Sequence, residues 1–113
     1  MQEFTRVMKA LSDPSRVKIL KMLEQRPLCV CEMTAALGLA QPTVSKHLKV
    51  LEHAGLVAFE KDGQWVNYRL EDRRRNPYAH KILQNLGGWL NEEQEMVSLL
   101  FELRSIFRED LCR

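Results

Sequence analysis

Cys29 and Cys31, in the stretch PLCVCEM, and Cys112, which precedes the final arginine, carry the most distinctive chemistry of this 113-residue sequence. Two thiolates this close suit a soft, thiophilic ion such as arsenite, antimonite, cadmium, zinc or lead. Reversible oxidation is a second use, and burial as small hydrophobes is a third. Three cysteines is an odd number, which argues against a closed disulfide framework and towards metal or redox use. Residues i and i+2 point about 200° apart around a regular helix. Cys29 and Cys31 can therefore share one ion only if a helix beginning there is distorted. The histidines give less: His47 reads as an outward or solvent residue, His53 as a helix-end residue and His80 as a helix-start residue, none of them as a ligand.

The elements that would position these thiols follow from periodicity and breakers. Phe4, Val7, Met8 and Leu11 form the stripe of an amphipathic first helix. Asp13 is placed as an N-cap, with Pro14 at the first helical position, and Val17, Ile19, Leu20 and Leu23 give the buried face of a second helix that stops before Pro27. A third helix is expected over Cys31 to Leu37, ending at Gly38. A fourth opens at Gln41-Pro42, turns Val44, Leu48 and Leu51 inward, and closes at Gly55. LVAFEKDGQWVNYRL then reads as a hairpin around Asp62-Gly63. After the polar linker EDRRRNP, residues 78–89 and 92–109 read as two helices, the last with Leu99, Leu100, Leu103, Ile106 and Phe107 on one face. Trp89 and the Met8, Met22 and Met33 set read as core.

This order is a winged helix-turn-helix plan, mainly α with a small β-hairpin wing, in one domain. Its parts are expected at 1–25 (dimerisation and core helices), 30–54 (helix-turn-helix), 56–70 (wing) and 78–109 (C-terminal helices). The apolar surface of the outer helices exceeds what so small a domain covers, so a helix-mediated homodimer is expected. In such a fold the second helix of the motif meets base edges in the major groove. Its outward residues here are Gln41, Thr43, Ser45, Lys46, His47 and Lys49, types that pair with adenine, guanine or phosphate. No acidic residue stands between Glu32 and Glu52 to repel a polyanion. Lys61, Gln64 and Arg69 add candidate contacts from the wing. A net charge of +2 decides nothing by itself, so the case for double-stranded DNA rests on where the charges lie. The first twenty residues are charged throughout and no apolar run approaches the ~18–20 residues of a membrane span. A cytoplasmic protein without a membrane partner is expected.

LCVCEMTAALGLAQPTVSKHLKVLEHAGLV followed by KDGQWVNYRL resembles the ArsR/SmtB family of metal-responsive winged-helix repressors, across most of residues 4–70. The resemblance implies a homodimer that sits on operator DNA and leaves when an inducer binds. It implies that Cys29 and Cys31 capture that inducer, arsenite or antimonite first, or else a soft divalent metal, with no permanent cofactor. One departure matters. Arsenic-sensing relatives usually carry a third cysteine where this chain has Thr34. Cys112 is the chain's own candidate for the missing ligand; a cellular thiol, a hydroxide or a two-coordinate organoarsenical are the others. The family's second site, on the C-terminal helices, finds no match in His80, Glu92 or Glu93.

Inducer capture is expected to unwind or displace the first turn near Cys29–Glu32 and so to act on the reading head directly. Shifting occupancy from 1:99 to 99:1 takes about 5.5 kcal/mol, which metal–thiolate bonding can supply. The alternatives are a thiol-redox-responsive regulator and a constitutive winged-helix regulator without metal sensing. An enzyme is not expected: the chain has no phosphate-binding loop, nucleophile elbow or metalloprotease motif.

Overall fold

The computed structural model describes residues 1–111, so Cys112 lies outside the described residues. Helix α1 (Gln2–Leu11) buries Val7 and Ala10, and α2 (Pro14–Gln25) follows after a two-residue break. That break is set locally, because the Asp13 carboxylate accepts the backbone N–H groups of Ser15 and Arg16 at 2.8 and 3.1 Å. Strand β1 (Leu28–Cys29) leads straight into α3 (Val30–Leu37). Gly38, at φ +67°, ends α3 and donates its N–H to the Thr34 carbonyl at 2.9 Å. Helix α4 (Gln41–His53) then begins with Pro42 in its first turn.

Strands β2 (Val57–Asp62) and β3 (Trp65–Leu70) form the wing. Two features depart from the sequence reading. Asp62 is still in the ladder, opposite Trp65, so the loop is Gly63-Gln64 rather than Asp62-Gly63, with Gly63 at φ +63°. β1 joins the hairpin on its other edge, pairing Leu28 with Tyr68 and Cys29 with Asn67 in a sheet ordered β1-β3-β2. A two-residue strand between a proline and a helix has no alternation to read.

The C-terminal region also breaks differently. Helix α5 (Pro77–Leu86) is capped by Asn76, α6 spans Gln94–Leu103, and α7 (Arg108–Leu111) follows a turn within the stretch expected to be one helix. The Arg26 guanidinium holds that turn, donating from Nη2 to the carbonyls of Leu103 and Ile106 at 3.2 and 2.6 Å.

The core runs through every layer: Ile19, Leu20 and Leu23 of α2, Met33 of α3, Val44, Leu48 and Leu51 of α4, Leu56 and Val57, and Leu99 and Leu103 of α6. Met22 and Met33 are buried as expected, whereas Met8 and Trp89 are exposed. Lys21 is fully buried, which no periodicity would place there. Its ammonium pairs with Glu24 at 2.8 Å and donates to the Leu86 carbonyl at 2.9 Å, where a cation meets the C-terminal end of α5. Exposed Phe4 and Tyr78 meet edge-on at 5.3 Å, with Met8 exposed one turn on from Phe4, leaving an apolar patch across α1 and α5.

Asn76 joins three parts of this frame. Its Oδ1 accepts the N–H of Tyr78 and Ala79, while its Nδ2 donates to the carbonyls of Ala54 and Glu3 at 3.2 Å each. Gly55, after α4, packs against it at φ +77°, where an added Cβ would stand 3.0 Å from the Asn76 Cβ. Gly55→Ala is therefore expected to destabilise the fold by about 1–3 kcal/mol, read as a lower urea midpoint at unchanged m-value. An unchanged midpoint would contradict this packing.

Candidate DNA-reading face and thiol site

Helix α4 sorts its residues by period. Val44, Leu48 and Leu51 are buried, while Thr43, Ser45, Lys46 and Lys49 are exposed away from that stripe; Gln41, in line with Val44 and Leu48, is exposed as the first residue of the helix. His47 departs from the outward set. It lies three residues after Val44 and four before Leu51, at the edge of the inward stripe, and is half-buried. Its Nδ1 accepts from Arg16 Nη1 at 3.2 Å. Arg16 also donates to the carbonyls of Ala10 and Lys9 at 2.8 and 3.0 Å, pinning α4 to the corner between α1 and α2.

The wing residues separate as well. Lys61 and Gln64 flank Asp62 and Gly63 and are exposed. Arg69 sits at the base of β3 opposite Ala58, roughly 16 Å from Gln64 at about 3.3 Å per residue. Its guanidinium bonds Asp72 at 3.1 Å and the Leu70 carbonyl at 3.3 Å. Arg69 is thus not brought together with the tip.

Cys29 and Cys31 sit where strand turns into helix. Cys29 is the N-cap of α3, with extended backbone (φ −90°, ψ 168°), and its side chain is buried. Cys31 is half-buried in the first turn. Because Cys29 lies outside the regular helix, the opposed directions expected of two helical cysteines do not apply to this pair. Thr34 turns inward on its own helix, its hydroxyl donating to the carbonyls of Val30 and Cys31 at 3.1 and 2.8 Å.

Glu32 is the buried centre of this turn. Its Oε1 accepts the Cys29 N–H at 2.9 Å, the return half of a capping box, and its Oε2 accepts from Arg26 Nη1 at 2.8 Å. Through Arg26 the same carboxylate reaches the turn after α6, and the guanidinium also lies 5.8 Å from the Phe107 ring centroid. Burial pushes the Cys29 thiol above its ordinary pKa; backbone N–H donors oppose this, and the negative charge of Glu32 adds to it. The resting thiol is therefore protonated and a weak nucleophile. A soft ion must displace its proton to bind.

Arg108 has no signature in the sequence, yet it organises the wing. Its guanidinium lies 4.1 Å from the Trp65 ring centroid, 2.9 Å from Asp62 Oδ2 and 3.1 Å from Asn67 Oδ1. Among the described residues no group of three or more His, Cys, Asp or Glu side chains stands ready to hold a metal, and no helix is long and apolar enough to cross a membrane.

The chain is similar to known bacterial regulators. Residues 13–58 match the family described as bacterial regulatory protein, arsR family. The chain is 35% identical over 96 residues to the arsenical resistance operon repressor of Escherichia coli K12, covering 84% of this chain and 80% of that one. Among solved structures it is similar to the cadmium metal-sensor CMTR of Mycobacterium tuberculosis, with a TM-score of 0.60 and 32% identity over 78% of this chain and 84% of that one. It is also similar to the homodimeric winged helix-turn-helix DNA-binding domain of Mb0332 from Mycobacterium bovis, with a TM-score of 0.63 and 28% identity over 77% of this chain and 80% of that one.

The raised Cys29 pKa carries a sign. A thiol whose folded pKa lies above its unfolded value favours folding while protonated, and that contribution is lost as pH rises through the raised value. Glu32→Gln keeps an acceptor for the cap but removes the charge. In a Cys31→Ser, Cys112→Ser background it should move the midpoint of Cys29 alkylation against pH downwards, as read by mass spectrometry. An unmoved midpoint would mean that the Glu32 charge does not act on the thiol.

Proposed function

The chain belongs to the bacterial arsR family of regulatory proteins, and on that footing we propose that it is a homodimeric transcriptional repressor released from operator DNA by a thiophilic metalloid at Cys29 and Cys31. Helix α4 enters the major groove with Gln41, Thr43, Ser45, Lys46 and Lys49 towards bases and phosphates, and Lys61 and Gln64 extend the contact from the wing. The exposed Phe4, Met8 and Tyr78 patch supports pairing of two copies through α1 and α5. Arsenite or antimonite is the inducer favoured by the relation to arsenical resistance repressors; a soft divalent metal is the neighbouring choice, given the likeness to a cadmium sensor.

One observation carries this reading. The thiol of Cys29 belongs to the residue whose backbone N–H is held by Glu32 at the start of α3. Helix α3 packs on the reading helix across the short Gly38 turn. Drawing Cys29 and Cys31 onto one ion changes the backbone at that start, and the change passes to α4 through a close-packed interface rather than through a flexible loop. The buried Cys29 thiol with its raised pKa is a poor oxidant sensor by itself, since such sensing favours accessible cysteines of low pKa.

Fluorescence anisotropy on a duplex from the protein's own promoter region tests this. Arsenite or antimonite is expected to release the wild-type protein but not a Cys29→Ser, Cys31→Ser double variant. In the same assay Lys46→Ala should weaken binding and flatten the dependence of log K on log salt by about 0.9, one phosphate contact. Release that persists in the double variant would contradict the thiol site, and an unchanged salt slope would remove Lys46 from the backbone contacts.

A further inference from the structure

The outer half of the wing has little to hold it. β1 reaches only the rungs at Tyr68 and Asn67, so among the described residues the rungs Lys61–Val66 and Asp62–Trp65 pair with each other alone. An isolated two-stranded hairpin is marginal in water. Yet Lys61 and Gln64, the wing's candidate DNA contacts, belong to this segment.

Strand alternation shows what replaces a third strand. Asp62 and Trp65 lie opposite each other, and Asn67 follows Trp65 by two, so all three side chains stand on one face. Arg108 meets all three: it ion-pairs with Asp62 at 2.9 Å, donates to Asn67 at 3.1 Å and lies 4.1 Å from the Trp65 ring centroid. A planar guanidinium can satisfy a carboxylate, an amide and an aromatic face at once, which a lysine cannot. Arg108 is itself anchored. The preceding turn is fixed by Arg26 through the carbonyls of Leu103 and Ile106, and Arg26 is fixed by Glu32.

We propose that Arg108 is a positioning residue of the DNA interface: it clamps the outer wing so that Lys61 and Gln64 meet the duplex already ordered. The clamp joins Asp62, one residue from Lys61, to Trp65, one residue from Gln64. Binding then avoids the entropy of ordering the tip, which a loose hairpin would lose on contact. The inference rests on the reading that the wing touches DNA.

The test uses the full chain carrying Trp89→Phe, which leaves Trp65 as the one tryptophan. Arg108→Ala is expected to weaken operator binding about fivefold to tenfold while leaving the salt slope unchanged. It should also increase acrylamide quenching of Trp65 and speed amide exchange over residues 61–66. Arg108→Lys, which keeps the ion pair with Asp62, should recover part of the affinity. A salt slope that falls by about 0.9 would overturn the proposal by making Arg108 itself a phosphate contact. Unchanged Trp65 quenching and exchange would overturn it by showing that the clamp does not hold the tip. Lys61→Ala separates the two levels: if it leaves binding untouched, the wing reading fails and the inference with it. If Lys61→Ala weakens binding and Arg108→Ala does not, the positioning role alone fails.

Discussion

A carboxylate taken out of water must find partners for its charge, and Glu32 finds them on two sides of the molecule. One oxygen holds the Cys29 N–H and the other holds Arg26. The first bond fixes the opening turn of α3, where the thiols are. The second fixes Arg26, which closes the turn after α6 and so sets where α7 and Arg108 lie. Neither side can move far without leaving a buried charge short of a partner. Cys29 and Cys31, helix α3 beneath α4, and the position of Arg108 on the wing therefore share one node.

This arrangement gives the thiol chemistry mechanical meaning. Cys29 already sits in extended backbone at a strand–helix junction, with its thiol buried beside a negative charge. The resting state favours a protonated sulfur and an intact cap. An ion that requires two thiolates opposes both, because it removes the Cys29 proton and asks the backbone of residues 29–31 to bring two sulfurs to one centre. Met33 on α3 and Val44 and Leu48 on α4 lie fully in the core between the two helices, where close packing resists gradual deformation. On the proposed function, the packing that holds α4 rigid is also what would carry events at the start of α3 to it.

Much of the scaffold was legible because its signals are local. Asp13-Pro14, Gly38 and the Gln41-Pro42 opening each declare an element boundary through one residue's backbone preference, and the alternating wing sequence declares a hairpin. The misses are tertiary. β1 is two residues long and exists only because β3 offers an edge. Lys21 is buried because Glu24 and the end of α5 meet it, and no helical period encodes such partners. The break at residues 104–107 is held by Arg26, the residue after α2, about eighty positions earlier. Trp89 and Met8, apolar and helically spaced, lie at the surface where sequence pattern placed them inside.

At the candidate site the same division holds. The exposure of Thr43, Ser45, Lys46 and Lys49 followed from the positions of Val44, Leu48 and Leu51, whereas Gln41 is exposed as the first residue of α4 and His47 was drawn inwards by Arg16. The Cys29–Glu32 spacing is that of a capping box, but a cysteine in place of serine or threonine hides it. The most direct measurement of the central claim is amide hydrogen exchange across residues 29–37 of the DNA-free protein during an arsenite titration. The account predicts that the amides of Cys29 and of the first α3 turn lose protection in step with the loss of operator binding. Protection that stays unchanged while the operator is released would contradict it.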